Sequence, residues 1–225
     1  MNNLLIVTES DAPNMRKILI KTVYLFIITF GLICLTLSWA FSWTSLQSFK
    51  GVKNTQNEII VCNIARNAVE IKIREDRIFE PPKELPNFLK KPAGVFVTIV
   101  KKGRVTGCMG TLQPREPDLS REIVRSAIMA ATADLWHKNI TVEELPELEY
   151  IVSIPGNMKR INSSVYLDPI NLGLLVRRGK RSALLLPGEA LTPEWQIYEC
   201  KRKAGIPQNE QVEMFIFETI VFGPR

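Results

Sequence analysis

The chain has 225 residues, 46% of them hydrophobic and 23% charged, with a formal net charge of +6. That length holds one domain of about 150 to 200 residues plus an appendage, and the composition is that of a folded chain. A single histidine and four cysteines without a C-x-x-C pair exclude a multi-histidine metal centre, a zinc ribbon and a thioredoxin-like site, and argue against a disulfide-built scaffold.

Residues 1–16 read as a flexible polar tail. From Thr22 to Phe49 no residue is charged, and the run exceeds the ~20 residues that cross a bilayer as a helix, which places a transmembrane segment with its flanks at 17–49. Trp39, Phe41 and Trp43 stand where a cleaved signal needs small residues and suit an interfacial aromatic belt instead. The expectation is a single-pass anchor held in membrane lipid. Arg16, Lys17 and Lys21 precede the run, whereas Lys50 and Lys53 follow it. This narrow positive-inside difference favours a cytoplasmic N-terminus and an extracytoplasmic C-terminal domain, with the reverse topology left open.

Residues 50–57 read as a linker and 58–225 as the folded domain. In EIIVCNIARNAVEIKIRE, Ile60, Ile64, Ala68 and Ile71 recur at helical spacing. Pro81–Pro92 reads as an extended connector over the surface. Gly94–Val100 and Arg104–Leu112 flank Lys101-Lys102-Gly103 and predict a hairpin. Asp118 or Ser120 caps a helix to about Asp134, with Ile123, Ala127 and Ala130 or Ala131 on its packing face. Thr141 and Glu144 match a capping box, which Pro146 limits to one turn. A strand over Leu148–Ile154, a hairpin about Gly179, a helix from Thr192-Pro193 to Gly205 and a strand over Val212–Val221 follow. This order is no regular βα alternation, so an α+β domain is predicted, with a mostly antiparallel sheet and flanking helices.

Gly107-Cys108-Met109-Gly110 is the most informative run. It sets a thiol between two glycines in the returning strand, where backbone or a ligand can approach the sulfur and a bulge or kink is favoured. His137, just past the small-residue helix, is a candidate base, and Asp134 and Glu189 are candidate orienting carboxylates. Trp195 and Cys200 lie about 140° apart on one helix, so Trp195 reads as core and Cys200 as buried and inert. Basic clusters such as Arg177-Arg178 and Lys201-Arg202-Lys203 carry no interleaved aromatics, so nucleic acid is not expected; they read as solvated turns and helix ends, or as attraction to anionic lipid.

Taken together, PAGVFVT, GCMGTL, REIVRSAIMAATAD, EELPELEYIVSI, GLLVRRGKRSALLLPGEA, Trp195 and Cys200-Lys201-Arg202-Lys203-Ala204-Gly205 resemble the AMMECR domain family from about Glu58 to Phe222. The resemblance implies an α+β domain with a cleft near the Gly-Cys-x-Gly strand, a functional link to Memo-like proteins and radical SAM enzymes, and no established reaction; the cofactor is unknown. The family usually carries Arg where this chain has Thr106, and many members carry His-Gly where it has Leu172-Gly173. Either difference removes help that a reactive thiol would need. The favoured reading is therefore an accessory or binding protein whose cleft includes Thr106, Gly107, Met109, Gly110, Arg178 and Trp195. The alternative is an enzyme, or a subunit of one, using Cys108 as a thiolate.

Overall fold

The computed structural model describes Phe49 and residues 51–224. The tail at 1–16 and the charge-free run lie outside the described residues, apart from Phe49. Among the described residues no helix is long and apolar enough to cross a membrane. Phe49 itself is 1% exposed and meets Phe88 edge to face at 6.3 Å, so core packing begins before the first helix.

Helix α1, Thr55–Glu75, starts inside the stretch read as a linker. The Asn54 side chain accepts the Asn57 N–H at 2.9 Å, a cap contributing about 1 kcal/mol. Its buried stripe is Val61, Ile64, Ala65, Ala68 and Val69. The Pro-rich connector does more than wrap the surface. A helical turn at Asn87–Lys90 buries Phe88 and Leu89, because its prolines flank two large apolar residues that gain by leaving water.

Strands β1, Val95–Lys101, and β2, Arg104–Thr111, form the expected hairpin. Lys102 and Gly103 both have positive φ, 51° and 74°, as a two-residue turn matched to strand twist requires. The register shifts between Ile99 and Val100, where Ile99 faces Gly107 and Val100 faces Val105. Thr106 is thus the bulged residue, one position before the glycine at which the kink is predicted. Helix α2, Leu119–Thr132, is capped by the Asp118 side chain on the Arg121 N–H. It buries Ile123, Ala127, Ala130 and Ala131 against α1 and the hairpin.

A capped 3-10 turn at Val142–Glu147 leads into β3, Leu148–Pro155. Then come β4, Lys159–Ile161; β5, Gly173–Arg178; β6, Arg181–Leu185; helix α3, Pro193–Lys203; β7, Glu213–Phe217; and β8, Thr219–Phe222. The single sheet of the expectation is replaced by two four-stranded antiparallel sheets. Sheet 1 has order β2-β1-β3-β8, and sheet 2 has order β4-β7-β5-β6. The strand predicted over Val212–Val221 breaks at Glu218 and serves both. β3 and β4 make the reverse crossing beside it, and the Gly156 N–H donates to the Glu218 carbonyl at 2.8 Å between the two crossings. Alternation alone does not reveal such a corner, because apolar residues continue on both sides of it.

Helices α1 and α2 cover sheet 1 over the larger core, and α3 covers sheet 2 over a smaller one that includes Leu174, Val176, Cys200 and Ile206. A third cluster, Phe96, Leu175, Leu186 and Phe217, joins the two sheets, and Cys108 packs against it.

Candidate functional site

Cys108 lies on β2 opposite Thr98, and the Thr98 hydroxyl is 3.2 Å from its sulfur. Its neighbour Met109 points to the other face of sheet 1, into the helix-covered core, as strand alternation dictates. The glycines answer to backbone rather than to a ligand. A Cβ on Gly107 would meet the Ala130 carbonyl oxygen at 2.2 Å, and one on Gly110 would meet the Val95 carbonyl oxygen at 2.2 Å. Both are close-packing requirements of helix on strand and strand on strand.

The organising group is Asp134, just beyond α2. Its buried carboxylate accepts the Cys108 N–H at 2.7 Å and the Trp136 N–H at 2.8 Å, and its Oδ2 lies 2.9 Å from His137 Nδ1. Burial pushes the Asp134 pKa up, but the hydrogen bonds from Cys108, Trp136 and His137 outweigh it and hold the carboxyl below its ordinary range. His137 therefore meets the Cys108 strand through Asp134 and makes no hydrogen bond to the thiol. Burial drives the Cys108 thiol up to about 11; the Glu189 carboxylate adds to the rise, while Thr98 and Lys203 oppose it. The other described thiols are raised by burial too, Cys62 to about 11 and Cys200 to about 12.

The rim is aromatic and charged. Trp136 is 63% exposed, with the Arg202 guanidinium 5.2 Å from its ring centroid. This pair ties the end of α3 to the loop after α2. Sequence reasoning named Cys108, Asp134, His137 and Glu189 and missed Thr98, Trp136, Arg202 and Lys203 as neighbours. Thr98 was available from the hairpin register and Trp136 from its place beside His137, whereas Arg202 and Lys203 arrive from a helix far away in sequence.

A family model described as AMMECR1 matches residues 62–222. The chain belongs to the AMMECR1 family. A protein of Thermotoga maritima is 37% identical over 158 residues, spanning 68% of this chain and 91% of that protein. One of Methanothermobacter thermautotrophicus is 32% identical over 173 residues, spanning 71% and 90%. Among solved structures, the uncharacterized protein PH0010 from Pyrococcus horikoshii is similar with a TM-score of 0.68 at 27% identity, over 75% of this chain and 91% of its own.

Within this AMMECR1 domain the remaining predicted site residues scatter. The Thr106 hydroxyl turns to the Ile99 carbonyl at 3.2 Å. The Leu172 carbonyl accepts from Gln196 Nε2 at 3.0 Å. Arg178 is tied to Glu210 at 2.7 Å and to the Gln211 carbonyl, not to the Cys108 group. Trp195 corrects the core reading. It is 47% exposed on the outer face of α3, while Cys200 on the inner face is fully buried and donates to the Leu174 carbonyl. Among the described residues no three His, Cys, Asp or Glu side chains gather as a metal site would need.

Proposed function

We propose that this AMMECR1-family chain is a membrane-tethered accessory protein that binds a partner and does not use Cys108 as a nucleophile. The supporting observation is the environment of the thiol. It packs against the apolar cluster between the sheets with the Thr98 hydroxyl as its hydrogen-bond partner, and His137, the candidate base, is held on Asp134. A thiolate is the reactive form, and a thiol raised to about 11 supplies almost none at neutral pH. The tether is the charge-free run that begins at Thr22 and ends before Phe49, which belongs to the domain core.

The test is the pH dependence of alkylation of Cys108 in full-length protein with Cys62 and Cys200 replaced by Ser. Slow modification that quickens only above pH ~9 fits the proposal; a fast reaction with an apparent pKa well below the unperturbed ~8.5 would return Cys108 to the role of a nucleophile. The partner class implied by the resemblance, a Memo-like or radical SAM protein, is examined by co-purification with wild type and with Cys108→Ser, which should capture it equally. Release of the full-length chain from membranes by an alkaline carbonate wash would sink the tether.

A further inference from the structure

Sheet 2 carries a recess that the Cys108 group does not touch. It is a groove of about 730 Å3 with Ile161, Val212, Met214 and Ile216 in its lining, and with Lys159, Arg160, Glu213 and Tyr166 also bordering it. Ligand sites span roughly 300 to 1,000 Å3 and combine an apolar lining with a few polar groups. The groove lies over the paired strands β4 and β7; among the described residues no strand pairs with the other side of β4. An unpaired edge presents backbone N–H and C=O groups in strand register.

The antiparallel pairing fixes what an added strand would meet. Lys159 sits opposite Ile216 and Ile161 opposite Met214, so these four share one face, while Arg160 faces Phe215 on the other. Lys159 makes no ion pair among the described residues. Arg160 lies 3.1 Å from Glu213, but Glu213 is also 2.9 Å from Arg177. When Arg160 turns to a new anion, Glu213 keeps a cationic partner. A second copy of this chain is a poor occupant, because isologous pairing of two β4 edges about Arg160 sets guanidinium against guanidinium.

We propose that β4 is a docking edge for an extended acidic segment of a protein partner. The added strand runs antiparallel to β4 and places an apolar residue opposite Ile161, then acidic residues opposite Arg160 and Lys159. Ladder hydrogen bonds give the register, and the cross-strand charges give the selectivity. The proposal adds a surface to the binding reading above. It uses none of the residues around Cys108, so the alkylation result and this one fail separately.

The probe is a short dye-labelled peptide with a central Val-Asp-Glu among Ser and Thr, titrated by fluorescence anisotropy into full-length protein in lipid nanodiscs. Saturable binding that weakens with salt is expected, with no binding of a Val-Lys-Lys twin or of a peptide N-methylated at the amides facing β4. Lys159→Glu with Arg160→Glu should weaken binding at least about tenfold through lost pairing and added repulsion. Glu213→Gln, which frees Arg160 from an internal competitor, should tighten it about threefold; a misfolded variant would not gain affinity. Equal binding of the acidic and basic peptides, full binding of the N-methylated peptide, or no saturable binding overturns the proposal. So does weaker binding in Glu213→Gln. Self-association of the chain that Arg160→Glu abolishes assigns the edge to a second copy and likewise overturns it.

Discussion

Sheet 1 and sheet 2 have the same strand number and opposite treatments of an edge. On sheet 1, the outer side of β2 is closed by Asp134, whose carboxylate takes the Cys108 N–H, and α2 packs so closely that only glycine fits at 107. On sheet 2, β4 carries two cations and borders a groove, and among the described residues no strand pairs with the side of β4 away from β7. Residues that look catalytic in sequence thus serve to seal one edge, whereas a segment with no motif forms the accessible one. A buried carboxylate bonded to backbone N–H groups needs no reaction to explain it, because those donors would otherwise be orphaned.

The largest expected effect breaks the sealed side. Gly107→Ala drives a Cβ into the Ala130 carbonyl oxygen and should cost about 3 kcal/mol in chemical denaturation. Gly173→Ala meets the Phe217 ring first, at 2.4 Å, and a ring yields more readily than backbone; about 2 kcal/mol is expected. Asp134→Ala leaves the Cys108 and Trp136 N–H groups without their acceptor and should also cost about 2 kcal/mol, with faster hydrogen exchange at Cys108 than at Ile161.

The pH profile sharpens the contrast. Since the folded-state pKa of Asp134 is depressed, its contribution is present above the unfolded carboxylate value of about 3.9 and is lost as pH falls through the folded value. Asp134→Asn should flatten that acid limb. Cys62, Cys108 and Cys200 have raised folded values. Their contribution is complete below the ordinary thiol value near 9 and disappears as pH rises toward 11 or 12; Cys200→Ser should shallow that alkaline loss in a urea series. The smallest effect belongs to Cys108→Ser, where a hydroxyl takes over the contact with Thr98. A cost near 1 kcal/mol and unchanged partner capture are expected; loss of capture would show that the sulfur does more than pack.

Much of this was legible beforehand, for identifiable reasons. The first hairpin, α2 and α3 carry their own punctuation in Lys102-Gly103, Asp118 and Thr192-Pro193, so local chemistry places them. His137 as a base for Cys108 and Asp134 as its orienting carboxylate were named from the sequence; Asp134 does hold His137, but the link to Cys108 runs through a backbone N–H, which leaves no trace in residue identity. Trp195 was misplaced since a tryptophan on a helix signals burial on average, and only the position of Cys200 on the inner face shows which way the helix turns. β4 has three residues, too few for any periodicity, and Glu218 interrupts the run from β7 to β8 without glycine or proline to mark the place.

That interruption has a mechanical meaning. Where β3 passes into β4 and β7 into β8, two strands cross together, stitched by the bond from Gly156 to Glu218. The pair acts as the spine of a book. A register slip in one strand has to be matched in the other for that bond to survive. Cys108 packs with Phe96 and Leu175 where the two sheets meet, so a substitution that loosens this cluster acts on both sheets at once.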